Sequence, residues 1–200
     1  MALHKTTIVK EALALLQEGG LEGVSLRKLA ARLDVQAPAL YWHFKNKAVL
    51  VNEMADAILQ TQFATFAPRK IDETWAAWLM NMMQRLRKTM LSHTDGARVI
   101  AGAHLSTTML AFSESTINTL VEAGVALREA RLIVLTATRY TFGYVIEEQT
   151  PMPPEGSVKI DMEAFKTNYP TVIAGIEDYF SSGRTIDDLF NDGLKLIIRD

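Results

Sequence analysis

Apolar residues return along this 200-residue chain at helical spacing, and no stretch alternates as a strand would. Over residues 6–17, Ile8, Ala12 and Leu15/Leu16 share one face, and Gly19-Gly20 marks where that helix should end. Leu26, Leu29, Ala30 and Leu33 then fall at i, i+3, i+4 and i+7, just behind Ser25, whose hydroxyl suits an N-cap. Asp34 and Val35 interrupt the pattern. Pro38 opens a second short helix, in which Leu40 and Phe44 lie four apart and face inward while Tyr41, Trp42 and His43 point elsewhere. Ile8, Leu13, Leu16, Leu29, Leu33, Leu40 and Phe44 are expected to form one small core.

Asn46 is placed to cap a longer helix marked by Leu50, Val51, Met54 and Ile58 and running to about Thr65. Residues 72–91 carry Trp75, Trp78, Leu79, Met82, Met83, Leu86 and Met90, apolar over so much of the circumference that the helix must be buried on most sides. A short glycine-bounded segment covers 94–102. Further helices are expected over 107–122, 128–149, 162–179 (kinked or split by Pro170) and 186–198. A loop holding Pro151, Pro153, Pro154 and Gly156 lies among them. The fold expected is all-α, with a three-helix head over 1–46, a connecting helix over 47–65 and a helical body over 66–200.

Composition narrows the chemistry. Hydrophobic residues make up 48% of the chain, enough for one or two domains with a substantial core. There is no cysteine, so disulfides and thiolate metal sites are excluded and a cytoplasmic location is expected. His4, His43, His93 and His104 show no metal-ligand spacing, and no apolar run reaches membrane-spanning length. Neither a metal nor a cofactor is expected. The net charge of −2 hides an asymmetry: residues 1–50 hold seven Lys/Arg against four Asp/Glu, the remainder 14 against 19. A basic end on an acidic body suits a polyanion that touches that end alone.

Two short helices joined by a tight turn, the second carrying exposed aromatic and polar groups, make a helix-turn-helix. Arg27, Lys28, Tyr41, His43 and Lys47 are the candidates for phosphate contacts, which position a protein on DNA without reading its sequence. Ala37, Pro38, Ala39 and Trp42 fall nearest the base edges. Lys45 and Lys47 flank the N-terminus of the connecting helix, which itself attracts phosphate. The plainer alternative, a surface hairpin with solvated lysines, leaves the large rings of 41–44 unexplained.

LYWHFKNK at 40–47, within a segment from Ile8 to Leu59, resembles the DNA-binding domain of the tetracycline-repressor (TetR) family. The resemblance continues in DGARV at 95–99, EAGVALREA at 122–130, TFGYVIEEQ at 141–149 and GLKLIIRD at 193–200. It implies a homodimer on double-stranded DNA, with the helices over 128–149 and 186–198 packed against their mates. The apolar surplus on the last helix asks for a partner on its own account, and Leu194 and Ile197 are the interface positions expected. In the tetracycline-binding members, positions matching Leu26, Ala37 and Ala39 carry polar residues that contact the operator; here all three are apolar, which implies a different operator.

The resemblance also implies an effector pocket in the body. Positions matching four principal polar groups of the tetracycline-binding members are Phe63, Met82, Ile100 and Thr116, and the magnesium-ligating histidine corresponds to Ile100. Glu147 remains where those members keep an acidic residue serving the metal's water shell. With Leu86, Met109 and Phe112, these residues describe a pliable apolar lining, with His104 and Arg139 as polar anchors. The function expected is a repressor that binds a palindromic operator and is released by a small, largely apolar effector without magnesium. The glycine-bounded segment near 96–102 is expected to reorder on effector binding. The alternative is a helical protein-interaction module, or an activator without a small-molecule effector. No G-x-S-x-G, P-loop or G-x-G-x-x-G is present, so an enzyme is not expected.

Overall fold

A computed structural model describes residues 3–153 and 161–199. Among them the chain forms helices alone, in the order α1 Lys5–Gly23, α2 Leu26–Arg32, α3 Ala37–Tyr41, α4 Lys47–Phe63, α5 Trp75–Leu91, α6 Gly96–Ala101, α7 Thr107–Glu122, α8 Leu127–Glu148, α9 Met162–Asn168, α10 Pro170–Ser181 and α11 Ile186–Ile197. The all-α expectation holds. Part of the proline-rich loop, 154–160, lies outside the described residues.

Several element boundaries follow from caps visible in the sequence. The Ser25 hydroxyl accepts the Lys28 N–H, Asn46 accepts from Val49 and Thr74 from Ala77. Thr185 and Asp188 close a reciprocal capping box on α11. Asp72 lies outside α5, because Thr74 takes the cap. Gly19 and Gly20 break α1, Gly20 with φ +62°, yet the chain resumes helical geometry to Gly23. Pro170 divides α9 from α10, as a ring lacking an N–H requires.

The expected head core is largely present: Ile8, Leu16, Leu29, Leu40 and Phe44 are all fully buried. Leu13 and Leu33 are only partly buried and pack at its edge. Val9, Ala12, Val24 and Ala30 complete the core, where α1 packs on α2 and α4. α4 runs from this head into the body, where it packs on α5, α6 and α7. Its Leu50, Val51, Met54, Ala55, Ile58, Leu59 and Phe63 are buried along the whole length.

α8 packs on α5, α6, α7 and α11, and α11 also meets α5. α11 is fastened by an aromatic and ionic box. Phe190, fully buried, stacks on Tyr140 with centroids 5.6 Å apart and meets Tyr144 edge-on at 5.1 Å. The Arg87 guanidinium lies 4.8 Å from the Phe190 ring and pairs with Glu148 at 2.5 Å and Asp187 at 2.7 Å. Its bond to Glu148 outweighs the opposing effect of burial and raises its pKa, so the charge is permanent. Gly193 is required here, because a Cβ would strike the Tyr140 ring.

Arg87→Met leaves Glu148 half-buried without its partner, and should lower stability by about 2–4 kcal/mol. Arg87→Met with Glu148→Met should recover most of that loss, because both charges then leave together. Urea unfolding at one fixed protein concentration measures both; a single-variant loss below about 0.5 kcal/mol would show that the box contributes little.

Candidate nucleic-acid interface and effector region

The turn between α2 and α3 is a Schellman motif. The Asp34 N–H donates to the Ala31 carbonyl at 3.3 Å and the Val35 N–H to the Ala30 carbonyl at 3.0 Å. Asp34 holds φ +52°, a left-handed conformation that aspartate tolerates better than most side chains. Gln36 and Pro38 then start α3 at once. Leu40 and Phe44, both fully buried, pin this five-residue helix to the head, and everything between them is turned outward. Trp42 is 91% exposed and Tyr41 53%. Pro38 is exposed, while Ala37, Ala39 and His43 are partly so. A bare indole on the tip of a small helix is not explained by packing within the chain.

Around this tip the cations divide by role. Arg27 and Lys28 are exposed on α2. Arg32, on the same helix, is held by Glu11 at 2.8 Å and Glu18 at 2.7 Å, which fixes α2 to α1. Lys47 is exposed, but its ammonium donates to the Leu21 carbonyl at 2.9 Å and so also closes the end of α1. Lys45 is exposed beside it, ahead of the α4 N-terminus.

Of the residues expected to line an effector pocket, six come together. Phe63, Met82, Leu86, Ile100, Phe112 and Thr116 are buried where α4, α5, α6 and α7 converge. Phe63 meets Phe112 edge-on at 5.2 Å, and the Arg85 guanidinium lies 5.1 Å from the Phe63 ring. The Thr116 hydroxyl donates to the Phe112 carbonyl of its own helix at 2.7 Å, so it offers little to an occupant. Met109 is half-buried at the margin. His104 and Arg139 do not join them. Both are exposed, His104 in the turn before α7 and Arg139 on the outer face of α8, so neither is an anchor within this group.

The side chains at Ile100 and Glu147 do not make a built site for a hard divalent cation. A hard divalent cation takes oxygen donors or an imidazole, Ile100 supplies neither, and Glu147 is an exposed carboxylate.

The glycine-bounded segment expected to reorder is a formed helix, α6, tied at its start on two sides. Asp95, left-handed at φ +53°, accepts the Leu21 N–H of the head at 2.7 Å. Gln17 accepts from Thr94 N–H and hydroxyl at 3.1 and 2.8 Å. Gln149, the C-cap of α8, accepts the Ala97 N–H at 3.0 Å and donates to the His93 carbonyl at 2.7 Å. Gly96 is needed at this junction, because a Cβ would meet the Met90 carbonyl.

A second junction was not visible in the sequence. Asp56 of α4 accepts from the Ser106 hydroxyl at 2.6 Å, the Thr107 hydroxyl at 3.1 Å and the Thr108 N–H at 2.9 Å, and so holds the N-terminus of α7. Burial opposes its ionisation, but these bonds together outweigh burial and keep its pKa below the ordinary carboxylate value. The Ser-Thr-Thr run ahead of an apolar helix was the available signal; the partner, fifty residues upstream, was not.

The model of bacterial regulatory proteins of the tetR family matches residues 8–54, and that of the tetracyclin repressor-like C-terminal domain matches 67–199. The chain is 34% identical over 196 residues to the tetracycline repressor protein class A from transposon 1721 of Escherichia coli, covering 98% of this chain and 89% of that protein. A possible TetR family transcriptional regulator from Streptomyces coelicolor A3(2) superposes with a TM-score of 0.82 at 31% identity, over 98% of this chain and 97% of that one. BioQ, solved with its double-stranded DNA operator, superposes with a TM-score of 0.66 at 32% identity, over 74% and 88% of the two chains. The helix-turn-helix with its bare aromatic tip lies within the first of these matched segments, and the chain belongs to the TetR family of transcriptional regulators.

Proposed function

We propose that the protein is a homodimeric repressor that binds a palindromic operator and is released by a small, largely apolar effector. The exposed Trp42 on a recognition helix pinned by Leu40 and Phe44 carries the reading, because it gives the head a surface built for contact. In this reading residues 1–46 are the DNA-binding domain, 47–65 the connecting helix and 66–200 the effector and dimerisation domain. Arg27, Lys28, Tyr41, His43 and Lys47 hold phosphates, and Ala37, Pro38, Ala39 and Trp42 face the base edges. Three apolar residues among these last four can touch a thymine methyl but form no hydrogen bond, so specificity rests on Trp42, Arg27 and DNA shape.

The dimer face is drawn from apolar side chains that the protomer leaves uncovered. Leu194, expected at the interface, is fully buried within the protomer and so is covered already, whereas Ile197 is half-buried. Leu127 and Leu132 on α8, with Ile186, Leu189 and Leu196 on α11, are exposed instead. Placed on a twofold axis, the two heads would present their recognition helices to successive major grooves, with half-sites ~34–36 Å apart.

The effector would enter the α4–α7 interior, where Met82, Met83, Met90 and Met109 supply side chains that repack easily. Occupancy would part Phe63 from Phe112 and move α4, which carries the head. Moving a population from 1:99 to 99:1 in this way requires a ratio of affinities for the two states of roughly 10⁴.

Selection from random duplexes should return an inverted repeat; asymmetric sites alone would refute the twofold reading. Lys28→Ala should weaken binding to all sequences alike and reduce the salt slope by about one, whereas Trp42→Ala should alter sequence preference. A Lys28 variant changed in specificity alone would remove that residue from the phosphate contacts.

Leu189→Asp combined with Leu196→Asp should give monomers or aggregates in analytical ultracentrifugation, because each charge would be buried unpaired in an apolar interface. A dimer of unchanged affinity would place the interface elsewhere.

Operator release by an effector found through thermal-shift screening should be unaffected by EDTA, and tetracycline with magnesium should leave the operator bound. Release that depended strictly on magnesium would overturn the account of Ile100.

A further inference from the structure

A cleft of ≈ 680 Å³ lies between α1, α4 and the turn that precedes α7, away from the α4–α7 interior. Its volume falls within the ~300–1,000 Å³ of typical small-molecule sites. Val9 and Leu13 of α1, Val49 and Ala57 of α4, and Leu105 of the turn make its apolar surface. Leu105 is 72% exposed there, a large aliphatic side chain that the protomer leaves without cover.

The cleft's formal charges balance, Lys5 and Lys10 against Glu53 and Asp56, but they are not all paired with one another. Lys5 pairs with Glu53 at 2.5 Å. Asp56 is engaged by Ser106, Thr107 and Thr108, which leaves its carboxylate little capacity for a further donor. Lys10 lines the same cleft, is exposed, and has no ion-pair partner among the described residues. One ammonium beside an aliphatic wall is matched by a molecule with a carboxylate at one end and a hydrocarbon chain at the other.

We propose that this cleft is a second ligand site, taking a small aliphatic carboxylate whose chain lies on Val9, Leu13, Val49 and Leu105 and whose carboxylate meets Lys10. Its walls come from the head and from the body, so an occupant would bridge the two.

The test is methyl NMR of the full-length protein titrated with octanoate, octanol and octylammonium, which share one chain and differ in charge. Octanoate should bind saturably with shifts centred on Val9, Leu13, Val49 and Leu105, and more tightly than octanol, with octylammonium the weakest. Lys10→Gln should erase the preference of octanoate over octanol, about threefold to fivefold for an exposed pair. Leu105→Asn should weaken octanoate and octanol alike while circular dichroism remains that of the parent protein. No saturation at millimolar octanoate, shifts centred on Leu86 and Ile100, or octylammonium binding as tightly as octanoate would each overturn the proposal. The titration contains no DNA, so its outcome is independent of operator binding.

Discussion

α4 is the constraint on which the rest of the structure depends. One helix of 17 residues is buried along its length in two successive environments, first against α1 and then against α5, α6 and α7. Buried side chains at close-packed density cannot slide independently of the backbone that carries them. A displacement at Phe63 is therefore a displacement at Leu50, and through Leu50 of the head. Besides α4 the head is tied to the body by Gln17, Leu21 and Glu22, which meet the start of α6.

The two junctions beside α4 share a chemistry. At each, a partly buried aspartate on one element accepts donors from another: Asp95 takes the Leu21 N–H, and Asp56 takes the hydroxyls and N–H at the start of α7. Hydrogen bonds to a charged acceptor are shorter and stronger than neutral ones, and they are directional. Such bonds hold an arrangement in one geometry without the extensive contact that would lock it. Apolar packing of α4 transmits displacement, and the aspartates define where it rests.

Glycine and aromatic placement show the same division of labour between local and distant causes. Gly193 lies in a helix, where glycine is unfavourable, and only the Tyr140 ring from α8 accounts for it. Arg87 reads as one more cation on a helix surface, yet it joins Glu148, Asp187 and Phe190 from two other helices. Neither role can be assigned from spacing within one element.

The sequence by itself determined the helices and most of their ends, because caps, glycine breaks and the 3.6-residue period are local physics written in neighbouring residues. Ser25, Asn46 and Pro170 were legible for that reason, as was the outward face of Tyr41 and Trp42 between Leu40 and Phe44. The likeness to the TetR family singled out Phe63, Met82, Ile100 and Thr116, and all four are buried. Only the tertiary structure decided which face of each helix its neighbours cover. Leu194 and Leu196 have the same chemistry two positions apart on one helix, and α5 and α8 bury the first while leaving the second bare. His104 and Arg139 were placed among the pocket residues by their chemistry, yet the turn before α7 and the outer face of α8 carry them to the surface. The cleft beside Lys10 and the cap at Asp56 were invisible for the same reason: each joins residues tens of positions apart, and periodicity carries no information at that range.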